Sequence, residues 1–133
     1  MSLALNEAKK AYEIDEVPVG SIIVKNNKVI SASFNQVISH NSVTSHAEIN
    51  AINIASKKLN NYRLVDCDIY VTLEPCHMCA KAIVDARIDH LVFAAKEPKT
   101  GSLVSVDNYN NRVNLNHHVS FEHGIKEKES SEL

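Results

Sequence analysis

Two short stretches constrain this chain more than anything else in it: His46-Ala47-Glu48 and Pro75-Cys76-His77-Met78-Cys79. Each stands where a loop or strand enters a helical pattern. A catalytic zinc takes three protein ligands and keeps a fourth position for water. His46, Cys76 and Cys79 supply that number. A C-x-x-C pair at a helix start places both sulfurs on one side of the first turn, where the partial positive charge of the helix and a bound metal favour thiolates. Two thiolates and a neutral imidazole balance the charge of Zn²⁺ and leave a Lewis acid able to lower the pKa of water. Pro75 suits the leading edge of that helix, because its missing N–H costs nothing there. Other soft divalent ions also accept such donors.

Glu48 has two readings on local grounds. Ser45-His46-Ala47-Glu48 has the S-x-x-E form of a capping box, in which the carboxylate only closes a helix end. Beside a metal centre, the same carboxylate can take a proton from water and pass it on to a substrate. Residues two apart do not share a face in mid-helix. At the first turn both side chains can lean past the helix end towards one point.

The remaining patterning sets the fold class. Leu3, Leu5, Ala8, Ala11 and Tyr12 recur at helical spacing over residues 2–13. Pro18 and Gly20 interrupt that pattern. Strands are expected at 21–25 and 28–34, joined by Asn26-Asn27, a pair that tolerates the positive φ of a two-residue hairpin turn. Residues 35–44 read as a polar loop. Residues 46–58 read as a helix, apolar nearly all round and hence buried. A strand at 68–73, a helix at 76–87 and a strand at 90–94 follow, then an Asn-rich loop at 105–117 and a short strand at 119–121. A hairpin followed by strand–helix alternation implies an α/β fold with a mixed sheet.

Composition narrows the class further. A chain of 133 residues without repeats or linkers reads as one domain, 1–133, large enough to form a core without disulfides. Three cysteines in such a chain point to metal or catalysis rather than to a disulfide framework, with Cys67 an ordinary core residue. The formal charge of −2 argues against broad, non-specific nucleic-acid binding. Lys81, Arg87, Lys96 and Lys99 nevertheless fall close together in sequence, either as solvated surface charges or as a local basic rim. No apolar run approaches the roughly 20 residues of a membrane-spanning helix, and no signal-peptide core is visible, so a cytoplasmic location is expected.

Taken together, the two stretches match the H-x-E…P-C-x-x-C signature of zinc-dependent nucleobase deaminases. Beyond it, the chain resembles the bacterial tRNA-specific adenosine deaminases (the TadA family) in Glu16-Val17-Pro18-Val19-Gly20, Thr44-Ser45-His46-Ala47-Glu48-Ile49, Asn61-Tyr62-Arg63-Leu64 and Tyr70-Val71-Thr72-Leu73-Glu74-Pro75-Cys76. Met78-Cys79-Ala80, Lys99-Thr100-Gly101 and Asn116-His117 continue the likeness, which covers nearly the whole chain.

The resemblance implies a cytidine deaminase-like α/β/α sandwich, a homodimer, and hydrolytic deamination of adenosine to inosine at the wobble position of a tRNA anticodon stem-loop. It implies one zinc per chain on His46, Cys76 and Cys79, with Glu48 as general acid and base. Asn35 would hydrogen-bond the flipped base, although a turn-forming Asn after a strand reads equally well locally. The N–H of Ala47 would hold the purine edge, Val19 would line the pocket, and Lys99 would sit in an anticodon-contacting loop. Lys81 and His77 depart from the usual pattern, His77 as a potential competing ligand. Residues 126–133 resemble the start of a C-terminal helix, cut short at Leu133. Two alternatives remain: deamination of a free base or nucleoside such as guanine, and a catalytically silent RNA-binding subunit with structural zinc.

Overall fold

The computed structural model describes residues 1–106, 108–109 and 117–133. The elements run α1 (Ser2–Glu13), β1 (Gly20–Lys25), β2 (Lys28–Phe34), α2 (Ala47–Leu59), β3 (Cys67–Leu73), α3 (His77–Asp85), β4 (His90–Ala95), β5 (Ser120–His123) and α4 (Glu127–Ser131). Asn26 and Asn27 both take positive φ (52° and 62°), as a primed hairpin turn requires, and they return β2 antiparallel to β1. The sheet order is β2-β1-β3-β4-β5. β1 also pairs antiparallel with β3, whereas β3–β4 and β4–β5 are parallel, so the sheet is mixed.

Register explains the layers. Ile23, Ile69, Leu91 and Phe121 are aligned partners across β1, β3, β4 and β5 and share one face. That face meets Ala47, Ala51 and Ala55 of α2 and Ala80, Ile83 and Val84 of α3 in one core cluster. α1 contacts β1, β2 and β3, and α4 contacts β3 and β4. Their layer covers the opposite face, where Ile22, Tyr70 and Val92 align. The result is the expected three-layer α/β/α sandwich. α1 approaches the sheet so closely at Gly20 that a Cβ there would lie 2.0 Å from the Ala4 carbonyl oxygen and 2.5 Å from the Ala8 nitrogen. Only a residue without a side chain fits.

Several expectations change. α2 is not buried all round: Ala47, Ala51 and Ala55 form its inner stripe, while Ile54 is 41% exposed. α3 stops at Asp85, because Arg87 adopts a left-handed φ of 63° and turns the chain towards β4. The last strand begins at Ser120 rather than at Val119. Cys67 lies fully buried in the core, as expected. The Asn-rich loop expected at 105–117 falls largely outside the described residues, and so does Asn116. Among the described residues no helix is long and apolar enough to cross a membrane.

Candidate active site

α2 and α3 start beside each other at one end of the sheet. His46 is the N-cap of α2 with extended backbone (φ −73°, ψ 154°), and Cys76 is the N-cap of α3 in a similar conformation (φ −75°, ψ 177°). In that conformation a side chain projects beyond the helix end instead of along its flank. Cys79, one turn further on, is buried beneath them. The His46 Nδ1 atom lies 3.8 Å from the Cys76 sulfur and 3.5 Å from the Cys79 sulfur. All three donor atoms fall within 4.8 Å of one another, a group that could hold a metal ion. His77 does not join this group; its ring meets Tyr109 edge-on at 6.3 Å between centroids.

The electrostatics follow from that proximity. The thiol of Cys79 and the imidazole of His46 hold the Cys76 thiol far below its usual range, so the thiolate forms readily. The Cys76 sulfur in turn raises His46, and it pushes Cys79 up because neighbouring thiols resist losing both protons together. Divalent metal binding replaces those protons.

Glu48 does not close a capping box. With His46 as N-cap, Glu48 occupies the second helical position rather than the third, and no side-chain cap bond forms. The Ser45 hydroxyl instead donates to Asn50 Oδ1 at 3.1 Å, and Asn50 Nδ2 donates to the Phe34 carbonyl at 3.1 Å, tying α2 to the end of β2. Glu48 is therefore free to face the donors. It is 4% exposed, and burial pushes its carboxyl up to about 7, with the Cys76 sulfur raising it further and His46 opposing. The Cys79 thiol reaches the same carboxyl.

These groups open onto a cavity of about 360 Å³, with His46, Cys76 and Glu48 in its lining. Val19 and Asn35 form part of its wall, and the Asn35 N–H donates to the Val19 carbonyl at 3.0 Å. Ala47 is buried in the core, and its N–H precedes the first intrahelical bond of α2, from the Asn50 N–H to His46 O. Thr100 reaches the lining, whereas Lys99 stands exposed beside it. The group of four cations is not uniform: Lys81 pairs with Asp85 at 2.8 Å, one turn along α3.

Two carboxylates at the cavity were not singled out by sequence. Glu16 is 4% exposed; its oxygens accept the N–H groups of Ile38 (3.0 Å) and Ser39 (2.6 Å) and hold the polar 35–44 loop against the opening. Glu74 is 2% exposed and accepts hydrogen bonds from the 97–105 segment. The signal for both was slight: an acidic residue within two positions of a Pro, in Glu16-Val17-Pro18 and Leu73-Glu74-Pro75.

Known proteins resemble this chain in both sequence and fold. The MafB19-like deaminase family matches residues 1–127. A tRNA-specific adenosine deaminase of Aquifex aeolicus is 47% identical over 133 residues, all of this chain and 87% of that protein. A solved structure from studies of A-to-I editing by tRNA:A34 deaminases is 44% identical, with a TM-score of 0.97 over 99% of this chain and 96% of its own. Guanine deaminase from Bacillus subtilis is 38% identical but has a TM-score of 0.70, covering 71% of this chain and 61% of its own. Since the likeness to adenosine deaminases runs the full length while that to the guanine enzyme does not, the chain belongs to the tRNA-specific adenosine deaminase family.

Proposed function

We propose that this chain hydrolyses the exocyclic amine of a wobble adenosine in a tRNA anticodon stem-loop, leaving inosine and ammonia. One observation carries the reading: a buried carboxylate beside a His/Cys/Cys donor group, at a cavity with room for a nucleobase, in a chain of this family. His46, Cys76 and Cys79 are the proposed ligands of one zinc ion. Tetrahedral zinc, with bonds of about 2.3 Å to sulfur and about 2.05 Å to nitrogen, sets a sulfur and a nitrogen ligand about 3.6 Å apart. The separations of 3.5 and 3.8 Å fit that edge. When bound, zinc supplies Lewis acidity that makes water a nucleophile near neutral pH.

Glu48 moves the protons. It takes one from the attacking water and delivers it to N1 of adenine as the C6–O bond forms. It then transfers the second proton from that new hydroxyl to the amino group, which leaves as ammonia while C6 becomes a carbonyl. One water is consumed and the carboxyl ends as it began. In the metal-free chain burial raises this carboxyl to about 7, the range in which a carboxyl both accepts and donates near neutrality. Asn35 and the N–H of Ala47 hold the base edge, Val19 packs on its face, and Lys99 meets the RNA backbone outside the cavity. A single domain over 1–133, a homodimeric assembly and a cytoplasmic setting accompany this reading.

The test compares an anticodon stem-loop bearing a wobble adenosine with free adenosine, guanine and cytidine, using the zinc-loaded protein. Inosine from the stem-loop alone is the expected result. Ammonia released only from guanine would overturn the substrate, and no turnover with intact RNA binding would favour a silent subunit.

A further inference from the structure

Glu74 lines the cavity beside His46 and Cys76, and among the described residues its carboxylate is held by backbone N–H groups and one hydroxyl rather than by a cation. Its Oε2 accepts the N–H groups of Leu103 (3.0 Å), Val104 (2.7 Å) and Ser105 (3.0 Å). Its Oε1 accepts the Glu97 N–H at 3.1 Å and the Ser105 hydroxyl at 2.5 Å. Despite the cost of burial, these donors hold the carboxyl below its usual range. The segment closes on the carboxylate because residue 101 lacks a side chain. A Cβ at Gly101 would lie 2.3 Å from the Glu74 carboxyl carbon. The Ser102 N–H adds a bond to the Pro75 carbonyl at 3.0 Å, one residue from Cys76.

We propose that Glu74 is a positioning residue for substrate: it fixes residues 97–105 as the outer wall of the cavity, with Thr100 in the lining and Lys99 aimed at the RNA. The inference rests on the adenosine-deaminase reading above. Its physical basis is that one buried carboxylate gathers four backbone donors and a hydroxyl from a stretch without regular structure. Each donor left unsatisfied in a buried place carries a substantial penalty, so the wall has one stable position.

Glu74→Gln breaks this clamp asymmetrically. The amide oxygen can serve the three donors now on Oε2, but the NH₂ then faces the Glu97 N–H, donor against donor. The Ser105 hydroxyl can rotate to accept. The damage therefore concentrates at Glu97, whose carboxylate accepts the Lys99 N–H at 3.0 Å. In the zinc-loaded protein, Glu74→Gln should retain wild-type zinc content. Amide exchange at Glu97 should accelerate at least about tenfold, and by more than at Val104. KM for the anticodon stem-loop should rise about tenfold while kcat changes less than about threefold.

Gly101→Ala attacks the same contact from the other side and should give the same KM-weighted split if Glu74→Gln folds poorly. Unchanged Glu97 exchange in Glu74→Gln overturns the clamp. Accelerated exchange with unchanged KM overturns its role towards substrate, and loss of zinc shows that Glu74 serves the metal centre instead. A wild-type protein inactive on the stem-loop sinks the substrate reading, while the exchange measurement still decides the clamp.

Discussion

The Glu48 carboxyl gives the sharpest quantitative test, because its burial should make the protein less stable where it makes it active. Burial raises the group from 4.5 to about 7. A tenfold change in an ionisation equilibrium is worth about 1.4 kcal/mol, so the folded chain disfavours ionised Glu48 by about 3 kcal/mol. Below pH 4.5 the carboxyl is protonated in both folded and unfolded chains and carries no penalty. Between pH 4.5 and 7 the unfolded chain loses the proton first, and stability falls as pH rises; above 7 the full penalty applies. Glu48→Gln keeps the shape of the protonated acid but cannot ionise.

In the metal-free, reduced protein, the variant should therefore match wild type near pH 4.5 and exceed it by about 3 kcal/mol at pH 8. Denaturant unfolding at several pH values measures the difference, which includes the response of His46 and Cys79, since the Glu48 carboxylate raises both. The zinc-loaded variant should retain its metal and lose about 10²–10⁴-fold in kcat. A stability difference that stays flat with pH would refute the buried-carboxyl argument. Activity within about tenfold of wild type would refute the proton-transfer role.

Cys79→Ser should lower zinc content well below one per chain and reduce the thermal midpoint, both measurable on the same purified sample; full zinc retention contradicts the ligand assignment. His77→Ala should leave zinc content unchanged, since His77 packs against Tyr109 and lies outside the donor group; metal loss would show that it competes after all. Gly20→Ala puts a methyl 2.0 Å from the Ala4 carbonyl oxygen. It should cost about 3 kcal/mol and lower the thermal midpoint by roughly 10 °C, because backbone on both sides leaves no flexible side chain to yield. An unchanged midpoint would mean that α1 can lift from the sheet at little cost.

Much of the molecule was legible without coordinates because its signals are local. The Asn26-Asn27 turn, the strand patterning of β1 to β4 and the helix starts at His46 and Cys76 each depend on neighbours within a few residues. The donor trio was readable for the same reason: residue type and spacing at two helix starts leave few other uses for a histidine and two cysteines. Other features depended on register and on partners distant in sequence. Moving the N-cap by one position separates a capping Glu48 from one facing the donors, and residue identity does not record that difference. Ile54 looked as buried as Ala51 until the orientation of α2 put it at the surface.

Glu74 carries the same lesson further. Its hydrogen-bond partners lie 23 to 31 residues away in sequence, and a backbone N–H has no signature in a side-chain alphabet. The sequence by itself determined the His/Cys/Cys donor group and the layered α/β class, because both are written in residue types and short-range periodicity. Only the tertiary structure decided which carboxylate faces the donors and which ones hold the cavity walls, since buried charges take their roles from the groups that folding brings to them.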